Sequence, residues 1–515
     1  MLIRISSARC IGIDALPVTV EVNISGGIGI HLVGLADAAV KESLLRTVTA
    51  LQSLGFKVPG KKIVINLAPA DMHKQGSGYD LPIAIGIIAA SEQLGMPDAD
   101  KYVISGELGL DGTVRPVRGA LSIVEMAGGS GKLGCILPLE SAREAAQWHN
   151  CRVFGVSTLK EALEIVCRSA GYGRLELDGG ASQPQWNPGP QSCAAEMDFS
   201  EIMGQESAKR GLEIAAAGGH NVIMVGAPGS GKSSLAKAMC GILPPLSIEE
   251  SVQASKVYSA AGKGDLSQGL LKTRPFRAPH CSASAAALLG GGADNIVPGE
   301  ISLAHNGVLF LDEFCEIPRK SIEVLRAPME DKKIVISRLR MKVAFPADFM
   351  LIAATNPCPC GYWGEGDRCT CTPAQRAGYL SKLSGPIMDR IDIHLWLHPV
   401  KTSQLVRRQP AESSAAVAER VAKARLVQRR RFAAEDGLFC NAGMSSRQME
   451  KYCPLDTACR DFLEKVVDRA GLSARAYGRI IKLARTIADL EGAAQIKVEH
   501  IAEAASYRFL DKQQP

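Results

Sequence analysis

Aromatic residues make up only 5% of this 515-residue chain, and no apolar run in it is long enough to cross a bilayer. Runs such as LPIAIGIIAA (Leu81–Ala90) fall well short of the ~20 residues that a spanning helix needs, so no membrane partner is expected. MLIRISSARC carries Arg4 with no apolar core after it, so a secretory signal is not expected either. The spacing C-x-x-C is absent, which argues against a dithiol relay, and no repeat of fixed period is evident. These absences set aside a membrane protein, a secreted disulfide scaffold and a solenoid. A reducing cytoplasm is the expected compartment, even though the chain holds fifteen cysteines.

What is present is globular: 46% hydrophobic residues and a formal charge of +6. That charge is mild for the length, so it permits nucleic-acid binding without arguing for it. The length implies roughly two to four domains. In VTVEVNI (Val18–Ile24) apolar residues alternate with polar ones, which predicts a half-buried strand. KIVINLAP, from Lys62, predicts a second strand, and Asp80–Gln93 a buried helix. From Gly171 to Met197 the composition turns to Gly, Pro, Ser and Gln, predicting a linker, with an irregular packed loop as the alternative. Beyond Asp198, apolar strands alternate with helices up to about Val400, the pattern of a parallel sheet with helical crossovers. The remainder reads as helical. The expected organisation is therefore an N-terminal domain over 1–170, a linker over 171–197, an α/β core over 198–400 and a helical domain over 401–515.

The strongest local signal is NVIMVGAPGSGKSSLAKAMC. A strand over Val222–Val225 runs into Gly226, Ala227, Pro228, Gly229, Ser230, Gly231, Lys232 and Ser233, and a helix follows. This is GxxxxGK[ST] in the strand–loop–helix setting that such a phosphate loop requires. Its glycines let backbone N–H groups close around phosphate oxygens at a helix N-terminus. Lys232 is expected to reach the β- and γ-phosphates of ATP and Ser233 to hold Mg²⁺. Downstream, NGVLFLDEF ends a buried strand in Asp312, which can hold Mg²⁺ through water. Glu313 can then orient or deprotonate the attacking water. A third strand, DFMLIAATN, would bring the Asn356 amide beside the γ-phosphate, although Asn alone is more often a turn residue.

Directly after Asn356, the stretch NPCPCGYWGEGDRCTC holds Cys358, Cys360, Cys369 and Cys371 as C-x-C-x8-C-x-C. Two close pairs across a glycine-containing turn can gather four thiolates tetrahedrally, the arrangement Zn²⁺ favours; reduced, unligated thiols are the alternative. A metal-tied knuckle would rigidify the loop behind Asn356. Between Asp331 and Phe349, Arg338, Arg340 and Lys342 fall two apart. Strand periodicity places all three on one face of a hairpin, where they could grip DNA phosphates or simply be solvated.

RPFRAPHCSAS, VPGEISLAHNGVLFLDEF, AATNPCPCGYWG, LSGPIMDRIDI and LSARAYGRIIKLARTIADL together resemble the YifB/ComM family of magnesium-chelatase-like AAA+ ATPases. VGLADAAVKESLLRTVTALQSLGF and KQGSGYDLPIAIGIIAA extend the resemblance over nearly the whole chain. The resemblance implies a P-loop parallel-sheet core with a C-terminal helical lid, preceded by an α+β Lon protease-like domain. It implies that Asn356 senses the γ-phosphate, that Arg390 is the finger reaching into a neighbouring subunit, and that Arg475 is the second sensor. Arg326 competes with Arg390 for the finger role. It further implies a presensor hairpin at Arg338–Lys342, a hexamer, and a helicase that migrates branched DNA in recombination and natural transformation, with branched or single-stranded DNA as partner. Proteolysis is not expected: Gly78 stands where the protease serine would fall, with Ser77 one position off, and Leu121 stands near the place of its lysine. The rival readings are a magnesium chelatase subunit, against which no DxSxS motif is found, and the regulator of an ATP-dependent protease.

Overall fold

A computed structural model describes residues 2–35, 37–74, 76–146, 151–177, 197–263, 269–292, 296–338, 341–383, 385–399, 411–435 and 437–513. The N-terminal unit is built on a seven-stranded mixed sheet. In spatial order its strands are Gly29–Val33, Lys62–Ala68, Asp14–Ser25, Leu2–Ile11, Tyr102–Ile104, Gly134–Pro138 and Arg152–Val156. The alternation in VTVEVNI does set the pleat, with Val18, Val20 and Val22 buried. The helix Asp80–Ala90 is apolar all round and wholly buried. It stops at Ala90 rather than Gln93 because Glu92 takes a left-handed conformation (φ 57°). The sheet holds the chain as far as Leu177, whose N–H donates to the Val153 carbonyl at 2.8 Å. Residues 178–196 of the expected linker lie outside the described residues.

The second unit carries a five-stranded, fully parallel sheet in the order Phe276–Arg277, Val308–Leu311, Met350–Thr355, Val222–Gly226, Ile393–Leu397. Four of these strands are almost continuously apolar and buried on both faces, as parallel strands covered by helices must be. Register matters more than length here. Val225 pairs with Thr355 and Leu311 with Ala353, so three strands end side by side on one rim. Their next residues are the phosphate loop, Asp312 and Asn356. Ligands of open parallel sheets bind at that carboxyl rim.

The helices Ser414–Arg431, Thr457–Ala470, Ala474–Leu490 and Val498–Ser506 form the C-terminal part. Ser414–Arg431 buries Val417, Val421 and Ala424 and leaves Arg429 and Arg430 exposed, the amphipathic division its sequence implies. Among the described residues, no helix is long and apolar enough to cross a membrane.

Contacts join the first unit to the second at several points among the described residues, with Val252 and Leu270 packed into the core of the N-terminal unit. The Lys256 ammonium donates to the Glu125 carboxylate at 2.7 Å. The turn at Gly12 abuts the strand Met341–Pro346 so closely that a Cβ there would meet Val343 Cγ1 at 2.6 Å.

Candidate nucleotide site and cysteine knuckle

The phosphate loop closes because Gly229 and Gly231 adopt left-handed backbone (φ 76° and 91°), which few other residues tolerate. Gly226 answers a different need: a Cβ there would collide with the Leu397 carbonyl at 2.7 Å. Lys232 begins the helix Lys232–Ala238, and its ammonium folds back over the loop. It donates to the Gly226 carbonyl (2.7 Å), the Ala227 carbonyl (2.9 Å) and Asn356 Oδ1 (3.2 Å). Burial pulls the Lys232 ammonium down, while the Asp312 and Glu313 carboxylates hold it up. Ser233 Oγ donates to Asp312 Oδ2 at 2.7 Å. The hydroxyl and carboxylate proposed to share Mg²⁺ are therefore already in contact, a donor set suited to a hard cation with oxygen ligands.

Glu313 occupies left-handed backbone (φ 50°), uncommon for a residue with a side chain and costing about 1–3 kcal/mol. Its carboxylate accepts from the Cys281 thiol at 3.4 Å. Sequence reasoning missed Cys281 as a neighbour of this acid, although RPFRAPHCSAS had marked the segment. It also missed Gln205. This residue, likewise left-handed (φ 61°), donates to the Ser230 carbonyl (3.1 Å) and the His398 carbonyl (2.6 Å), bracing the phosphate loop from behind. Its only sequence signal was its place immediately before a helix.

The four cysteines come together. Their sulfurs all lie within 4.8 Å of one another, with Cys358–Cys360 at 3.3 Å, Cys358–Cys369 at 3.8 Å and Cys360–Cys369 at 3.7 Å. A tetrahedron with Zn–S bonds near 2.3 Å has edges of about 3.8 Å, so the donor set fits zinc in number, kind and spacing. The Tyr362 backbone N–H pulls the Cys360 thiol down to about 6, toward the thiolate a metal binds. The knuckle is braced on both sides. Trp363 meets Trp396 edge-on at 5.6 Å, and Gly361 packs on Pro228 of the phosphate loop.

The arginines lie elsewhere. Arg390 is buried, ion-paired to Glu330, and donates to the Pro386 carbonyl. Arg475 is exposed and bonds Asp389, the residue before Arg390, at 3.0 Å. Arg326 pairs with Glu323 at 3.1 Å. None of the three contacts Lys232, Asp312, Glu313 or Asn356 of the same chain among the described residues.

One expectation is corrected. The basic hairpin pairs Lys333–Arg338 with Met341–Pro346, matching Arg338 with Met341 and Ser337 with Lys342. Arg338 therefore shares the face of the buried Ile334 and Ile336, whereas Lys342 shares the outward face of Val335. The period of two does not survive the chain reversal between them, so the two cations point to opposite faces. Arg340 lies outside the described residues.

Comparison with known proteins matches three family descriptions along the chain. Residues 20–141 match "Subunit ChlI of Mg-chelatase", residues 198–405 "Magnesium chelatase, subunit ChlI", and residues 411–508 "Magnesium chelatase, subunit ChlI C-terminal". A Salmonella typhimurium protein named YifB is 42% identical over 511 residues, covering 99% of this chain and 97% of its own. The "Competence protein ComM" of Haemophilus influenzae is 40% identical over 506 residues, covering 98% and 97%. The "Magnesium-chelatase 67 kDa subunit" of Chlorobaculum parvum is 28% identical over 171 residues, covering 31% of this chain and 23% of its own.

Proposed function

The chain belongs to the YifB/ComM family of magnesium-chelatase-like AAA+ proteins, and from that premise we propose that it is an ATP-driven DNA motor working as a hexameric ring. Its substrate in this reading is branched DNA, whose junction it moves during recombination. Backbone N–H groups of Gly229–Ser233 and the Lys232 ammonium bind the β- and γ-phosphates; Ser233 and Asp312 hold Mg²⁺, which when bound neutralises phosphate charge. Glu313 orients or deprotonates the attacking water, and Asn356, bonded to Lys232, senses the γ-phosphate. Arg390 and Arg475 serve a neighbouring protomer's site. What supports the trans reading is that Asp389 ties Arg475 beside Arg390, and that neither arginine touches its own chain's phosphate loop. An arginine suits the task because its fixed charge and fork geometry match spreading phosphoryl charge.

The observation that carries the motor reading is the position of the basic hairpin. It leaves the chain between the strand that precedes Asp312 and the strand that precedes Asn356, the two groups that flank the nucleotide in this reading. A shift of either strand end moves Arg338 and Lys342, and cations on a moving hairpin can hold DNA phosphates. The knuckle, loaded with zinc, stiffens the loop behind Asn356.

Strand exchange on a synthetic four-way junction with ATP tests the reading, with Lys232→Ala as the control. The wild type is expected to move the junction and the variant to leave it. A wild type that leaves it intact overturns the DNA-motor reading. The same ATPase assay with porphyrin or unfolded protein in place of DNA separates the chelatase and protease-regulator alternatives.

A further inference from the structure

Three arginines face one carboxylate beside the basic hairpin. Glu330 lies in the last turn of the helix Arg326–Asp331, three residues before the hairpin strand Lys333–Arg338. Its carboxylate is ion-paired to Arg390. That hydrogen bond is the main pull holding the Glu330 carboxyl below its usual range, and the charges of Arg390, Arg475 and Arg326 add to it. These three are the two finger candidates and the second-sensor candidate, the groups expected to meet phosphate in an assembled ring. In the single chain they face a carboxylate instead.

The three are not held alike. Arg475 with Asp389 and Arg326 with Glu323 are exposed pairs, which water and salt screen and which cost little to break. Arg390 is 7% exposed, so its pair is screened far less. Its guanidinium gives Nη2 to Glu330 and Nη1 to the Pro386 carbonyl, while Nε is sealed from solvent with no partner among the described residues. One donor of the fork is therefore unmatched in this pose. A phosphoryl group, with oxygens side by side, can accept from two donors of the fork at once.

A finger so placed cannot touch another subunit until it leaves Glu330. The backbone beneath it is anchored. The Arg390 carbonyl accepts from Asn221 Nδ2 at 2.9 Å, and Asp392 accepts from the Asn221 N–H at 3.3 Å and is ion-paired to Arg479. What can move is the side chain. A groove of about 830 Å³, lined by Arg326, Glu330, Arg338 and Arg390 itself, gives the guanidinium room to swing. The Glu330 side chain is exposed, so its charge regains water once the pair parts.

We propose that Glu330 is a positioning residue that latches Arg390 in the single chain, and that the γ-phosphate held by a neighbouring protomer must displace it before hydrolysis. This rests on the reading of Arg390 as a finger acting in trans. Opening the latch is then part of the barrier to hydrolysis. ATP binding, which takes place on the neighbour's phosphate loop, does not involve it.

Glu330→Gln keeps the shape of the side chain and removes its charge. Assayed on the full chain without DNA, it is expected to raise kcat about tenfold at an unchanged KM for ATP. The gain must travel with the chain that lends the arginine. Glu330→Gln added to the Lys232→Ala chain is expected to speed hydrolysis in a mixture with Arg390→Ala, whereas the same change added to the Arg390→Ala chain is not. A purely structural Glu330 would show no such asymmetry. An Arg390→Ala chain that hydrolyses ATP like the wild type removes the finger reading, and the latch with it. With Arg390→Ala inactive, a Glu330→Gln no faster than the wild type, a gain that follows the other chain, or a loss of ATP binding overturns the latch alone.

Discussion

Gly361 of the cysteine knuckle rests directly on Pro228 of the phosphate loop: a Cβ at Gly361 would stand 2.8 Å from Pro228 Cδ. Gly361 also holds a left-handed backbone (φ 85°), so a side chain there is disfavoured twice. Gly361→Ala is expected to cost about 1–3 kcal/mol of stability and to weaken ATP binding by roughly tenfold. Urea denaturation and nucleotide titration check the two effects. Unchanged ATP affinity would show that the knuckle does not support the loop.

The same contact sets an expectation for the metal. Purified under reducing conditions, the protein is expected to carry about one zinc per chain, and Cys358→Ser to lose it. Cys358 is the fully buried member of the cluster. Metal analysis of both proteins decides this, and a metal-free wild type leaves only unligated thiols.

Glu313 and Asp312 are adjacent in sequence yet differ in task, and substitution should separate them. Glu313→Gln keeps the size and left-handed backbone of the residue but removes the base. Hydrolysis is expected to fall about 10²–10⁴-fold while ATP binding persists. Asp312→Asn is expected to weaken Mg²⁺-dependent binding itself, because Ser233 then loses its carboxylate partner. Equilibrium binding beside turnover measurements distinguishes the two outcomes.

Much of this site was legible because it is local. GAPGSGKS after an apolar strand dictates its own loop, and apolar runs ending in Asp312 and Asn356 dictate neighbouring strand ends once the sheet is parallel. The cysteine spacing likewise announced a cluster. What stayed hidden depends on contacts between residues far apart in sequence: Gln205 under the loop, Cys281 against Glu313, Glu330 on Arg390, Pro228 under Gly361. The hairpin shows a sharper reason. A period of two describes one strand, and the reversal after Arg338 sends Lys342 to the other face.

The trans reading of Arg390 makes a complementation expectation. Lys232→Ala and Arg390→Ala are each expected to abolish hydrolysis. Mixed, they should regain part of it. A seam pairing the intact phosphate loop of the Arg390→Ala chain with the intact arginine of its Lys232→Ala neighbour is complete. If Arg390 acted within its own chain, no complete site would form in the mixture. Turnover measured across mixing ratios checks this: no recovery at any ratio overturns the trans role of Arg390, and hydrolysis retained by Arg390→Ala alone passes the finger role to Arg326.

His305 provides an expectation from pH. The Asp348 N–H donates to its Nδ1 at 3.1 Å, and its Nε2 lies 3.2 Å from Gln253 Oε1. Nδ1 must accept and Nε2 must donate, so only the neutral ring satisfies both. Burial accordingly pulls His305 down to about 4. An unfolded histidine takes its proton near pH 6.5, while the folded one stays neutral until about pH 4. Between those values the unfolded state binds more protons, so stability rises with pH and falls on acidification, by up to about 3 kcal/mol across the window. His305→Gln is expected to be less stable at neutral pH but to show a shallower slope between about pH 6.5 and 4, since its side chain does not titrate. Urea midpoints measured across that range test the difference, and parallel slopes would mean that His305 is protonated in the folded chain. Asp348 lies just before the strand that ends at Asn356, so acid that unseats His305 is expected to lower ATP turnover over the same interval.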